Sequence, residues 1–134
     1  MDKKHTAGNL PASSALAYLG DAEHSLYVRS MLVLRGLAKS KDLNTEAQKY
    51  VTAEAQSLLY ARIEPYLDEE ERATFKRAFN STHLNRPKHS TGKEYRTATG
   101  FEAVLGMLSY LGNRDRIKQL LDLAHKELEN DTEN

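Results

Sequence analysis

Two acidic residues, Asp21 and Glu102, are unusual because each lies in a strongly apolar helical segment without a basic partner. Asp21 belongs to LAYLGDAEHSLYVR, residues 16–29, and Glu102 belongs to RTATGFEAVLGMLSYLG, residues 96–112. Neither acid has a Lys or Arg three or four residues away, where side chains share a helix face. A buried carboxylate is unfavourable unless it accepts hydrogen bonds, pairs with a cation or binds a metal.

A glycine accompanies each acid: Gly20 precedes Asp21, and Gly106 follows Glu102 by one helical turn. Glycine inside a helix costs about 1 kcal/mol relative to alanine, so we expect another group to approach the backbone closely there. Both helices are apolar on nearly every face, which predicts that they are buried and that Asp21 points into a small, partly enclosed space. Two such carboxylates can share Mg²⁺, which prefers oxygen ligands and keeps several waters. The alternative is two buried hydrogen-bond acceptors beside glycines that only permit close packing.

Positive charge is concentrated in one segment of a chain whose net charge is zero. Residues 76–96 contain six Lys and Arg residues and one Glu. Within them, STHLNRPKHSTGK, residues 81–93, is rich in Ser, Thr and Asn and contains a Pro and a Gly, which predicts a loop. Cations interspersed with hydroxyl and amide groups suit a phosphate backbone. A solvated loop without a ligand is the alternative.

Several classes of protein are disfavoured by composition and motifs. The 134 residues include no cysteine, which excludes disulfides and thiolate chemistry and fits a reducing cytoplasm. No signal peptide or apolar run long enough for a membrane span occurs, so we expect a cytoplasmic protein without a membrane partner. Complete P-loop, zinc-protease and serine-hydrolase motifs are missing, and the five histidines are scattered along the chain.

The elements that would position the two acids are predicted to be helices of one all-α domain over residues 1–134. Glycine and proline are few and β-branched runs are rare. Residues 1–10 and 130–134 are expected to be frayed. Apolar periodicity and capping residues predict five helices, over about 13–35, 45–63, 68–80, 95–111 and 114–128.

Six short motifs, in this order, resemble a known family: YLGDA, YVR, RAFNS, RPK, YRTAT and FEAVLG. They are similar to those of Mini-ribonuclease III, the compact bacterial branch of the ribonuclease III endonucleases, and the resemblance extends from about Ser14 to Leu128. It implies an all-α endonuclease domain that forms a homodimer and cleaves double-stranded RNA with Mg²⁺, or with Mn²⁺ as a substitute. It also implies 5′-phosphate and 3′-hydroxyl products and a role in maturing the ends of 23S ribosomal RNA, with ribosomal proteins as candidate partners.

The resemblance also implies roles for individual residues. The family's catalytic, metal-binding acids fall on Asp21 and Glu102. No double-stranded-RNA-binding domain is expected, so the catalytic domain itself would bind RNA through phosphates and 2′-hydroxyls. The residues expected to do so lie in or beside the basic segment: Arg77, Asn80, Arg86, Lys88 and Arg96.

Some positions depart from the family's pattern. Ser14, Ala17 and Thr99 stand where full-length ribonuclease III proteins carry further acids, as in the Mini branch generally, which leaves each metal fewer protein ligands. Residues 23–25 are more polar than expected, and Phe79 replaces an expected basic residue. Two other functions therefore stay open: a non-catalytic module that binds double-stranded RNA, and a helical protein-interaction adaptor without an RNA role.

Overall fold

The computed structural model describes residues 9–81 and 92–133, with side chains up to residue 126. Within these ranges the chain is helical and contains no β-strand, which confirms the predicted all-α class. No described helix is long and apolar enough to cross a membrane. The helices are α1 Ser13–Leu34, α2 Ser40–Val51, α3 Ala53–Ile63, a short 3-10 helix Glu64–Tyr66, α4 Glu69–Ser81, α5 Gly92–Tyr110 and α6 Arg114–Glu133.

Several helix ends agree with the capping residues read from the sequence. Gly36 and Gly112 adopt positive φ angles of 95° and 77°, which a residue without a Cβ tolerates best, and they follow the ends of α1 and α5. Asn113 accepts a hydrogen bond from the backbone N–H of Arg116 and so caps α6. Before α4, the Asp68 carboxylate accepts from the Glu71 N–H at 2.8 Å while the Glu71 carboxylate accepts from the Asp68 N–H at 2.9 Å.

The predicted single helix over 45–63 is wrong: the structure has two helices, α2 and α3, separated at Thr52. Thr52 has an extended conformation, with φ −72° and ψ 159°, and its Oγ1 accepts a hydrogen bond from the Ala55 N–H at 3.2 Å. A threonine hydroxyl competes in this way with continued helix. The break changes the direction of the chain at a point that no proline or glycine marks.

Three other boundaries differ from the prediction. Helix α2 begins at Ser40, inside the segment predicted as a connection, and α5 begins at Gly92 rather than near Tyr95. Glu102 therefore lies in the third turn of α5, well inside the helix. Helix α6 continues to Glu133 and so includes most of the predicted C-terminal tail. The remainder of the predicted loop, residues 82–91, lies outside the described residues.

Helices α1 and α5 form the centre of the molecule and run antiparallel in direct backbone contact. A Cβ at Gly20 would come within 1.6 Å of the carbonyl oxygen of Glu102, and a Cβ at Gly106 within 1.7 Å of that of Leu16. These two glycines let the helices approach more closely than any larger residue would permit. The core around the crossing includes Leu16 and Phe101, both fully buried.

The expectation that α1 is buried on nearly all sides is wrong for its outer face. Opposite the face that contacts α5, apolar side chains are exposed, at 81% for Tyr18, 58% for Leu26 and 59% for Val33. These three residues, with Leu19, define what we call the outer stripe of α1. An apolar stripe of this kind on a central helix is typical of a surface that another molecule covers.

Candidate active site

The close approach of α1 and α5 brings Asp21 and Glu102 together. Because the Gly20 backbone touches the Glu102 carbonyl group, the acid that follows Gly20 lies beside Glu102. Asp21 is exposed, whereas Glu102 is partly buried. The prediction that Asp21 points into an enclosed space is therefore wrong, since Asp21 stands at the surface and Glu102 is the more enclosed acid.

The pKa of Glu102 shows how strongly its surroundings act on this acid. The pKa of Glu102 is raised to about 8, mainly by burial and further by the negative charge of Asp21, while a hydrogen bond from Gln56 acts in the opposite direction. No Lys or Arg forms an ion pair with either acid in the part of the chain that the structure describes. Glu102 therefore tends to keep its proton near neutral pH, and a bound cation would replace that proton and allow both acids to be charged.

The donor set of this pair fits a hard divalent cation that retains water. Among the described residues, no group of three or more His, Cys, Asp or Glu side chains is placed to hold a metal. A transition-metal site with several imidazole or thiolate ligands is thus not what these residues offer. Two carboxylates that leave most positions to water and substrate oxygen atoms match the preference of Mg²⁺.

Behind Glu102, a buried chain of polar side chains crosses from α3 to α6. The Gln56 amide nitrogen donates to Glu102 Oε2 at 3.4 Å and lies 3.0 Å from His24 Nδ1. The Nε2 atoms of His24 and His125 are 3.1 Å apart. Gln56, His24 and His125 are all buried. The sequence does not predict this chain, because the three residues lie on different helices and no local pattern connects them.

Two of the three polar residues at 23–25, Glu23 and His24, have a structural explanation. Glu23 pairs with Arg114, with 2.8 Å between Nη2 and Oε1, and accepts a hydrogen bond from the Ser109 hydroxyl at 2.8 Å. The hydrogen bond from Arg114 lowers the pKa of Glu23. Glu23 thus joins α1 to α5 and α6, while His24 faces the interior beside the ring of Phe101, with 5.2 Å between ring centroids.

Three of the five residues predicted to bind RNA lie within the described ranges: Arg77 and Asn80 near the end of α4, and Arg96 near the start of α5. All three are exposed. The guanidinium of Arg96 lies 5.9 Å from the centroid of the Phe79 ring, a cation–π distance. Positive charge is therefore present beside position 79, supplied by α5. The other two, Arg86 and Lys88, lie outside the described residues.

Comparison with known proteins agrees with this arrangement. Residues 14–113 match the model of the Ribonuclease III domain family. Mini-ribonuclease 3 of Streptococcus pneumoniae is 39% identical over 123 residues, with 90% of this chain and 96% of that protein covered. Mini-ribonuclease 3 of a Thermoanaerobacter species is 40% identical over 114 residues, with 85% of this chain and 80% of that protein covered.

A solved structure has the same fold. The crystal structure of a protein from Fusobacterium nucleatum superimposes with a TM-score of 0.79 at 34% identity, with 87% of this chain and 93% of that chain covered. The chain therefore belongs to the ribonuclease III family and is an endoribonuclease of that type.

Proposed function

We propose that the protein is a Mg²⁺-dependent endoribonuclease that cleaves double-stranded RNA and matures the ends of 23S ribosomal RNA in the cytoplasm. The family membership and the names of the curated relatives support this proposal. The observation that carries it is the pair Asp21 and Glu102, which lie side by side without a basic partner among the described residues. Mn²⁺ is the expected substitute for Mg²⁺ because it also accepts carboxylate and water ligands.

In this proposal Asp21 and Glu102 hold the cation, with Asp21 as the exposed ligand and Glu102 as the partly buried ligand. When bound, the cation supplies positive charge for the scissile phosphate and lowers the pKa of water. The exposed position of Asp21 leaves the site accessible to a duplex, whose backbone would enter from solvent. The ends of α4 and α5 then contribute Arg77, Asn80 and Arg96 as contacts to phosphates and 2′-hydroxyls.

The outer stripe of α1 supports a homodimer. Its members, Tyr18, Leu19, Leu26 and Val33, lie on the same helix as Asp21 but on another face. A two-fold axis beside this stripe would bury the same apolar residues of both copies against each other. It would also place two catalytic acids on adjacent helices, one for each strand of a duplex.

The central experiment is a gel assay of purified protein with long duplex RNA, with Mg²⁺ or with a chelator. Wild-type protein should cut the duplex only with Mg²⁺, and Asp21→Asn should bind the same duplex without cutting it. If the wild type binds duplex RNA but never cuts it, the protein is a binding module. If it shows no salt-dependent affinity for RNA at all, both RNA functions are wrong.

The homodimer is tested by analytical ultracentrifugation. Leu26→Glu should shift the protein to the monomer, because it places a charge in the centre of the outer stripe. Tyr66→Glu is a matched control, since Tyr66 is equally exposed, at 59%, but lies on the 3-10 helix away from α1. Equal behaviour of the two variants would argue against this interface. Ribosomal proteins, as candidate partners, are tested by adding them to the cleavage assay.

A further inference from the structure

Glu102 has a neighbour from a third helix that the two-acid description of the site leaves out. Gln56 on α3 is 2% exposed, and its amide nitrogen lies 3.4 Å from Glu102 Oε2. That distance is long for a hydrogen bond, as is common for catalytic contacts before the charged complex forms. A buried glutamine has few alternative partners, so the orientation of its amide determines whether Glu102 Oε2 faces the donor nitrogen or the acceptor oxygen.

The direction of each hydrogen bond follows from the types of atoms. An amide nitrogen only donates, so His24 Nδ1, 3.0 Å from Gln56 Nε2, must accept. Neutral His24 then carries its proton on Nε2 and donates it to His125 Nε2 at 3.1 Å. Turning the amide over would place its oxygen against the carboxylate of Glu102, which would repel it. Only this arrangement is therefore compatible with an ionised Glu102.

The His125 end of this series of hydrogen-bonded side chains shows that the series is not optimised for stability. If His125 accepts at Nε2, its remaining proton lies on Nδ1, and this buried atom has no hydrogen-bond partner among the described residues. Leaving a buried donor unpaired costs about 1–3 kcal/mol, and apolar side chains of similar shape avoid that penalty. Because these hydrogen-bonded side chains carry that penalty at the His125 end, we expect their role to lie at the other end, beside Glu102.

We infer that Gln56 is a positioning residue for the metal-binding carboxylate of Glu102, and that His24 acts through Gln56 by fixing the orientation of its amide. This inference rests on the proposed function. Gln56 engages one of the two carboxylate oxygens of Glu102, which restricts rotation of the group and favours its charged form. Partners that orient a metal-binding side chain in this way change metal affinity or activity by about 10–100-fold when they are removed.

The first test compares wild type with Gln56→Met, which keeps the volume and removes the donor. Titration of the RNA-free protein with Mg²⁺ or Mn²⁺ by calorimetry should show about tenfold weaker binding. In steady-state cleavage, kcat should fall by about the same factor, while the KM for duplex RNA stays within twofold. Gln48→Met, at an exposed glutamine of α2, is the matched control and should equal wild type in all three measurements.

The role of His24 is tested by a double-mutant cycle. His24→Leu should weaken metal binding less than Gln56→Met, and the double variant should be no worse than Gln56→Met alone, because His24 acts through Gln56. Additive losses would contradict this order of action. If Gln56→Met does not fold, as judged by circular dichroism, nuclear magnetic resonance of wild type replaces it: adding Mg²⁺ should shift the side-chain amide signals of Gln56.

The outcomes separate the inference from the proposed function. If wild type neither binds Mg²⁺ nor cuts RNA, the proposed function is wrong and the inference falls with it. If wild type does both but Gln56→Met matches it in metal affinity and kcat, only the inference is wrong. A change confined to the KM for RNA, or unshifted amide signals of Gln56, would likewise overturn the inference.

Discussion

Gly20 and Glu102 touch through their backbones: a methyl group at position 20 would lie 1.6 Å from the carbonyl oxygen of residue 102. By helix propensity alone, a glycine in the middle of a helix is destabilising. Here the missing side chain determines the distance between α1 and α5, and with it the separation of the two acids that flank the contact. The glycine is thus part of the geometry of the candidate active site.

Gly20→Ala should therefore damage both stability and activity. Its Cβ cannot be accommodated unless the two backbones separate, so we expect the free energy of unfolding to fall by at least the roughly 1–3 kcal/mol typical of overpacking. Cleavage should fall as well, since separation of the helices moves Asp21 away from Glu102. Chemical denaturation and a duplex-cleavage assay measure the two effects.

Gly36→Ala serves as the control for this prediction. Gly36 has a φ angle of 95°, and a methyl group added to it would meet nothing within 4 Å. Alanine is therefore strained there by about 1–2 kcal/mol without touching the site. The variant should lose stability and retain activity. A Gly20→Ala variant that keeps wild-type cleavage would show that the direct backbone contact is not required.

Asp21→Asn should make the metal-free protein more stable while it abolishes cleavage. The negative charge of Asp21 helps to raise the pKa of Glu102 to about 8, so removing that charge should lower this pKa and the cost of burying Glu102 in the folded protein. Relief worth about 0.5–1 kcal/mol corresponds to a rise in Tm of roughly 2–4 °C for a domain of this size. Mg²⁺ should raise the Tm of wild type and leave that of the variant unchanged. Thermal unfolding with and without Mg²⁺ checks this, and a lower Tm for the metal-free variant would contradict it.

The buried histidines predict a loss of stability in mild acid. Burial lowers the pKa of His24 to about 3 and that of His125 to about 4, whereas histidines of the unfolded chain titrate near 6.5. Below pH 6.5 the unfolded state binds protons that the folded state does not. The contribution of the two histidines to stability should hence be constant above that pH and fall between pH 6.5 and about 4, by up to about 1.4 kcal/mol per pH unit for each histidine.

His125→Phe tests this explanation, because phenylalanine preserves the stacking on Tyr27, where the ring centroids are 5.0 Å apart. The variant should lose the share of the pH dependence that His125 contributes, so its stability should fall less than that of wild type between pH 6.5 and about 4. The comparison requires denaturation curves at several pH values. If the free energy of unfolding of the variant depends on pH as steeply as that of wild type, the acid sensitivity comes from other groups.

Arg77→Ala should weaken binding to all duplexes about equally. Arg77 is exposed and forms no ion pair with the side chains described in residues 9–81 and 92–126, so its charge is available for a phosphate. Loss of one phosphate contact reduces the slope of log K against log salt by about 1. Arg72→Ala on the same helix is the control, because Arg72 already pairs with Glu64 at 2.7 Å. Binding is measured with chelator to prevent cleavage. Equal slopes of log K against log salt for the two variants would show that Arg77 does not contact the RNA.

The parts of the molecule that the sequence predicts well are those encoded within a few neighbouring residues. Gly36 predicts where α1 ends, and Asn113 predicts where α6 begins. Asp21 and Glu102 can be recognised as acids without a basic partner because their neighbours on the helix are read directly from the sequence. The assignment of Arg77 and the other basic residues to RNA remains a prediction, since it depends on a ligand.

The parts that the sequence does not predict depend on contacts between distant segments. Thr52 looks compatible with a continuous helix, and its capping role appears only because α2 packs against α1 whereas α3 packs against α5 and α6. The chain Gln56–His24–His125 joins residues 32 and 101 positions apart. The sequence also does not predict the exposure of the outer stripe of α1, because apolar residues on all faces of a helix are compatible with both a protein core and an interface.

The two backbone contacts, one helical turn apart, make α1 and α5 a rigid unit. Leu16 meets Gly106 and Gly20 meets the Glu102 backbone, so neither helix can slide or tilt at this crossing without a steric clash. The backbones that carry the two acids thus keep a fixed separation, and only the side chains can adjust to a larger ion. Mg²⁺ takes oxygen ligands at about 2.0–2.1 Å and Ca²⁺ at about 2.3–2.6 Å. Discrimination between cations by size would accordingly depend on the distance between the helix backbones as well as on the ligands themselves.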